Sequence, residues 1–93
     1  MTHFDIVNGP SKFDLMVSLF DNNAKPRRTV RFVLDHGHEL DVAITMVQQE
    51  DGSGESWNFT GTATYATGGI SFRVRGYFGT RSRKGTLTQE SLS

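Results

Sequence analysis

The chain of 93 residues is too short for two ordinary domains, so we expect a single domain spanning residues 1–93. It contains no cysteine, which excludes a disulfide framework, a cysteine nucleophile and a thiolate zinc site. Residues 1–55 carry five basic and nine acidic residues, whereas residues 56–93 carry five basic residues and one acidic residue. Such a division can mark a polyanion-binding half of a domain, or it can be neutralised between neighbouring strands.

The sequence shows no targeting or membrane segment. The first five residues lack a basic stretch followed by an apolar run, and no stretch approaches the roughly 20 apolar residues of a membrane helix. We therefore expect a cytoplasmic protein that does not span a membrane.

Alternation of apolar and polar residues with a period of two recurs along the chain and predicts β-strands. The alternating runs span residues 12–19, 29–35, 40–46, 57–65 and 70–78, and a weaker sixth strand is predicted from Gly85 to Gln89. Residues 4–7 fit either a strand or a helical turn, and we expect no longer helix. The turn segments between the runs, such as residues 21–26 and 50–55, are too short for crossover helices, which favours antiparallel neighbours.

These features predict an all-β fold, a small antiparallel meander of five to six strands. The apolar face of such a sheet must be hidden from water. Two solutions suit so short a chain: the sheet closes as a small barrel, or two copies pack face to face as a dimer. The small size and the apolar face together predict a homodimer.

The strand register follows from the requirement that apolar residues share one face, because a slip of one residue would turn every side chain over. In the last two long strands, the predicted pairs are Trp57 with Phe78, Phe59 with Gly76, Gly61 with Val74, Ala63 with Phe72 and Tyr65 with Ile70. In the earlier strands, the predicted pairs are Leu34 with Leu40, Phe32 with Val42, Val30 with Ile44, Ile44 with Phe59 and Met46 with Trp57.

The histidines His36 and His38 lie close in sequence to several carboxylates and are the weak candidates for metal ligands. The predicted register, however, leaves residues 36–38 as a hairpin loop, where glycine and polar residues are common. We therefore expect no metal site and no cofactor.

Motifs of catalysis are missing from the sequence. There is no G-x-S-x-G elbow, no phosphate-binding loop and no dinucleotide fingerprint. No acidic residue falls on the predicted apolar face, where burial would raise its pKa for acid–base work. We expect a protein without catalytic residues that is not an enzyme.

The basic C-terminal hairpin is the strongest functional signal. Arg73, Arg75 and Tyr77 alternate along one strand and should share a face, and the following loop presents Arg81, Arg83 and Lys84. Guanidinium groups beside an aromatic ring are suited to nucleic acid or another polyanion. The alternative is a solvated turn.

Aromatic residues on the predicted inner face suggest another ligand site. If the barrel were hollow, Trp57, Phe59, Tyr65 and Phe72 would line a cavity for a small apolar ligand. The alternative is a packed core. The sequence thus favours a binding or protein-interaction module, with polyanion binding and apolar-ligand binding as alternatives.

Overall fold

The computed structural model describes residues 3–20, 28–50, 52 and 55–90. Within these residues the elements are β1 (His3–Asn8), α1 (Lys12–Phe20), β2 (Thr29–Leu34), β3 (Glu39–Gln49), β4 (Ser56–Tyr65), β5 (Phe72–Gly79) and β6 (Gly85–Gln89). The predicted turn at residues 21–26 lies outside the described residues, as does part of the predicted turn at residues 50–55.

The strands form a closed barrel in the order β1-β2-β3-β4-β5-β6, and every neighbouring pair is antiparallel. Pairing between β1 and β6, as between Phe4 and Leu87, closes the sheet. The predicted all-β meander is confirmed, and so is the weak sixth strand. Of the two ways to hide the apolar face, the chain uses closure on itself.

The prediction of a strand at residues 12–19 is wrong, because this segment forms the helix α1. Ser11 caps the helix: its Oγ accepts a hydrogen bond from the Asp14 backbone N–H at 3.2 Å, and its carbonyl accepts the first helical bond, from Leu15 N–H. The spacing of Leu15 and Leu19 fits both a strand period and a helical period. What distinguishes a helix from a strand here is the S-x-x-D pattern of residues 11–14, which is typical of the start of a helix.

The inner face of the barrel is a continuous hydrophobic core. Its buried members are Ile6, Leu15, Val30, Phe32, Leu34, Leu40, Val42, Ile44, Trp57, Phe59, Ala63, Phe72, Val74, Phe78 and Leu87. At its centre the rings of Phe32 and Phe59 stack with centroids 5.1 Å apart, and Phe78 meets both rings edge-on. Helix α1 adds Leu15, which is fully buried.

A glycine on the inner face allows the strands to approach closely where the barrel curves. A Cβ atom at Gly76 would lie 2.4 Å from the Thr86 carbonyl oxygen and 3.0 Å from the Phe59 ring. The predicted pairing of Phe59 with Gly76 is confirmed, and the absent side chain provides the space that the ring fills.

The predicted register of β2 and β3 is wrong by two residues. Phe32 pairs with Leu40, not Val42, and Val30 pairs with Val42, not Ile44. The loop therefore lies one residue earlier, at residues 35–37, and Gly37 there has a φ of 80° that suits glycine. Because the error is an even number of residues, the apolar faces of both strands are unchanged.

The predicted register of β3 and β4 is wrong by two residues up to Ile44, and a bulge in β3 adds a further shift after it. Ile44 pairs with Gly61, and the ladder shifts at Thr45 so that Met46 pairs with Thr60. One extra residue in a strand reverses the side-chain alternation that follows. Met46 consequently faces outward and is 60% exposed, and Val47 packs against the core instead.

The predicted register of β4 and β5 is correct, but the ladder ends before the last predicted pair. Tyr65 does not pair with Ile70: β4 ends at Tyr65, whose carbonyl accepts a turn hydrogen bond from Gly68 N–H, and β5 begins at Phe72. Ile70 lies outside the ladder and is 85% exposed.

No helix among the described residues is long and apolar enough to cross a membrane.

Candidate anion-binding face

Four strands, β3 to β6, present two parallel rows of side chains on the outer face of the barrel. The strand pairs join Gln48, Asn58, Tyr77 and Thr86 into one row, here called the tyrosine row. They join Met46, Thr60, Arg75 and Thr88 into the next, here called the arginine row. Neighbouring strands lie about 4.8 Å apart, so each row extends roughly 14 Å across the strands.

A groove of about 320 Å³ lies over these two rows. It is lined by both rows in full together with Phe59 and Gly76. Its lining combines the Met46 thioether and the Tyr77 ring with amides and hydroxyls, and Arg75 is its charged member. Tyr77 is 40% exposed, which makes it the large aromatic side chain that this face offers to solvent.

The predicted strand residues Arg73, Arg75 and Tyr77 share the outer face and are all exposed. Alternate residues of a strand lie about 6.7 Å apart, so the two guanidinium groups and the ring follow one line. Among the described residues, neither Arg73 nor Arg75 forms an ion pair. Glu90 lines a groove with Arg73 without pairing with it.

The three basic residues of the β5–β6 loop have separate roles. Arg81 pairs with Glu55 at 3.2 Å, and Arg83 donates from Nε to the Gly9 carbonyl at 2.9 Å. Lys84 forms no ion pair within the described part of the chain. Of the three basic side chains in the loop, only that of Lys84 has no partner among the described residues.

A second groove connects this loop to the outer face. It has a volume of about 260 Å³, and Tyr77, Arg81 and Lys84 are among its lining residues. Tyr77 lines both grooves, and its hydroxyl donates to Ser56 Oγ at 3.3 Å. The ring thus lies between Arg75 on one side and Lys84 on the other.

Acidic residues also border this face. Glu50 accepts a hydrogen bond from the Asn58 side-chain nitrogen at the edge of the tyrosine row. The remaining exposed arginine of the strands, Arg31, lies on β2 and makes two bonds to Asp41, at 2.8 and 3.1 Å. These hydrogen bonds and the charge of Asp41 raise the pKa of Arg31. Arg31 is thus a paired cation, in contrast to Arg75.

The two histidines that were weak metal candidates have different partners. His36 Nδ1 lies 2.9 Å from Asp35, and the His38 ring contacts the Tyr65 ring edge-on at 5.9 Å. In the described ranges, no three histidine or acidic side chains come together in a way that could hold a metal ion. The structure therefore places His36 and His38 in separate contacts.

The four aromatic residues predicted to line a cavity belong to the packed interior. Trp57, Phe59 and Phe72 are buried members of the core, and Tyr65 packs against its edge. Tyr65 and Phe72 are in ring contact at 5.8 Å. These contacts between rings are those of a close-packed core.

Sequence reasoning missed Met46 as a member of the outer groove. The alternation of Leu40, Val42 and Ile44 assigned it to the inner face, and the bulge at Thr45 reverses that assignment. A signal was present: Val47 follows Met46 directly and breaks the alternation. Bulges of this kind often re-aim side chains beside functional sites.

Comparison of the chain with protein-family models, curated proteins and solved structures finds no significant match.

Proposed function

We propose that this protein is a non-enzymatic binding module whose outer face, on β3 to β6, binds polyanions. The observation that supports this most is the line of exposed side chains on β5, in which Arg73 and Arg75 are charged, directed away from the core and not in an ion pair with any described residue. An unpaired surface arginine binds phosphate or sulfate oxygens without first breaking an ion pair. Lys84 extends the positive charge beyond Tyr77.

The zero net charge of the chain is compatible with this proposal, because the charges are segregated. Residues 56–93 supply every cation of the face and contain a single acidic residue. Screening at physiological salt limits electrostatic interactions to about 8 Å. A polyanion on β5 therefore interacts with the local arginines and with the bordering carboxylates of Glu50 and Glu90, and little with the more distant acidic residues.

The test is a titration of a labelled heparin fragment and a labelled single-stranded oligonucleotide, followed by fluorescence anisotropy at several salt concentrations. We expect Arg75→Gln and Arg73→Gln each to weaken binding of both probes. For the oligonucleotide, each variant should reduce the slope of log affinity against log salt by about 0.7, the value for one lost phosphate contact on a single strand.

Arg31→Gln is the matched control, since it removes the same charge from an exposed arginine that is already paired with Asp41. It should leave both affinities near the wild-type values. Absence of binding at low salt would reject the proposal, and an equal loss in Arg31→Gln would show that net charge alone is responsible.

We also propose that the protein is cytoplasmic and forms a homodimer. Closure of the barrel buries the apolar face that motivated the dimer, so a dimer interface would use exposed apolar side chains such as Phe13, which is 75% exposed. Sedimentation at tens of micromolar protein tests this, and a monomer there would reject it. An apolar ligand in place of a polyanion would bind with little salt dependence, because burial of apolar area is hardly screened.

A further inference from the structure

The tyrosine row contains no cation, although it lies beside the arginine row. Its members are amides, a phenol and a hydroxyl, and the nearest charge bound to it is the Glu50 carboxylate on Asn58. A phosphate or sulfate bound there would be repelled by the negative charge of the Glu50 carboxylate. This part of the groove instead suits an uncharged group that is flat enough to lie on the Tyr77 ring.

Cations lie on both sides of this uncharged part. Arg75 precedes Tyr77 by two residues on the same face, and Lys84 shares the second groove with Tyr77. A ligand that follows the two grooves therefore meets positive charge, then an aromatic surface, then positive charge. Alternating phosphates and planar bases are the chemistry of a nucleic-acid single strand.

The groove also offers hydrogen-bonding groups for the edge of a base. Asn58 Nδ2 donates to the Glu50 carboxylate, and no hydrogen bond from another described residue occupies Asn58 Oδ1, which can accept one from the edge of a base. Asn58 is the direct cross-strand neighbour of Tyr77, and Thr86 is the neighbour on the other side. A base on the ring would lie between these two polar side chains.

We infer that the polyanion is a single-stranded nucleic acid that stacks one base on Tyr77 in the outer groove. This inference rests on the proposed polyanion-binding function and specifies its ligand. Met46 borders the base from the arginine row, and its flexible thioether adapts to bases of different size. A duplex would not bind in this way, because its bases are already stacked on each other.

The experiment compares three labelled probes of about 12 nucleotides, a length within the site size of small single-strand-binding domains. They are a mixed-sequence single strand, an abasic strand with the same number of phosphates, and the duplex of the mixed sequence. We expect wild-type protein to bind the single strand roughly 5- to 150-fold more tightly than the abasic strand, the range that corresponds to stacking of one base.

Tyr77→Leu should remove most of this difference while leaving affinity for the abasic strand unchanged, and Tyr77→Phe should preserve it. Far-ultraviolet circular dichroism confirms that each variant is folded. Equal affinities for the single strand and the abasic strand would overturn the inference alone, as would a Tyr77→Leu loss that is the same for both. Failure of every polyanion to bind at low salt would overturn the proposed function as well.

Discussion

Gly9 and Arg83 hold each other through two hydrogen bonds that run in opposite directions. The Gly9 N–H donates to the Arg83 carbonyl at 2.6 Å, and Arg83 Nε donates to the Gly9 carbonyl at 2.9 Å. The pair joins the residue after β1 to the loop before β6, next to the ladder that closes the barrel. Arg83 has a φ of 62°, a conformation that is unfavourable for residues other than glycine.

Two variants separate the side-chain and backbone contributions of Arg83 to stability. Arg83→Ala removes the Nε bond and keeps the unfavourable φ, so we expect it to lower the free energy of unfolding by about 1–2 kcal/mol. Arg83→Gly removes the same bond but relieves the backbone, and should be less destabilising than Arg83→Ala by about 1 kcal/mol. Urea denaturation measures both.

Lys84→Ala is the control for Arg83, because the Lys84 side chain is exposed and unpaired among the described residues. It should change stability by less than about 0.5 kcal/mol. If Arg83→Ala were as harmless as Lys84→Ala, the hydrogen bond from Arg83 Nε to the Gly9 carbonyl would contribute nothing to stability.

A side chain at Gly76 should destabilise the barrel. In Gly76→Ala, the new methyl group would lie 2.4 Å from the Thr86 carbonyl oxygen, so the backbone of β6 or the Phe59 ring must move. Overpacking of this kind costs about 1–3 kcal/mol. Gly79→Ala is the comparison, since its methyl group would meet the Ser82 hydroxyl at 3.1 Å, and that side chain can rotate away. Thermal unfolding of the two variants should rank them in this order.

Leu15 and Phe13 distinguish the helix from the strand that alternation predicts. On a strand they would share a face, whereas on α1 Leu15 is fully buried and Phe13 is exposed. We expect Leu15→Ala to cost about 2–5 kcal/mol and Phe13→Ala to cost little. Similar losses in chemical denaturation of the two variants would favour the strand.

Side-chain alternation predicted the strands from β2 to β6 and most of their faces, but it also predicted a strand in place of α1, placed Met46 on the inner face and did not determine every pairing. The pairing of Phe59 with Gly76 was correct because large residues opposite glycine admit one register. The β2–β3 register was missed because a shift by two residues preserves both faces, so burial cannot choose between the two. The loop determines the register, because Gly37 adopts the positive φ that the turn requires.

The candidate site was predicted in its strand residues and less well in its loop. Arg75 and Tyr77 could be placed on one face from their spacing alone. The ion pair of Arg81 with Glu55 and the hydrogen bond from Arg83 to Gly9 join residues far apart in sequence, so no local pattern indicates them.

The side chain of Trp57 is 5% exposed, which makes its fluorescence a poor reporter of binding in the outer groove. Labelled probes are therefore preferable for the binding experiments.

The bulge at Thr45 decides which side chains of β3 line the groove. If β3 kept Thr45 but paired without the bulge, the alternation of its first half would continue in phase, with Met46 turned inward and Val47 turned outward. Core and groove would then exchange a side chain although no residue of either had been substituted. Deletion of Thr45 itself removes the extra residue, so Ile44, Met46 and Val47 would keep their present faces in a regular ladder.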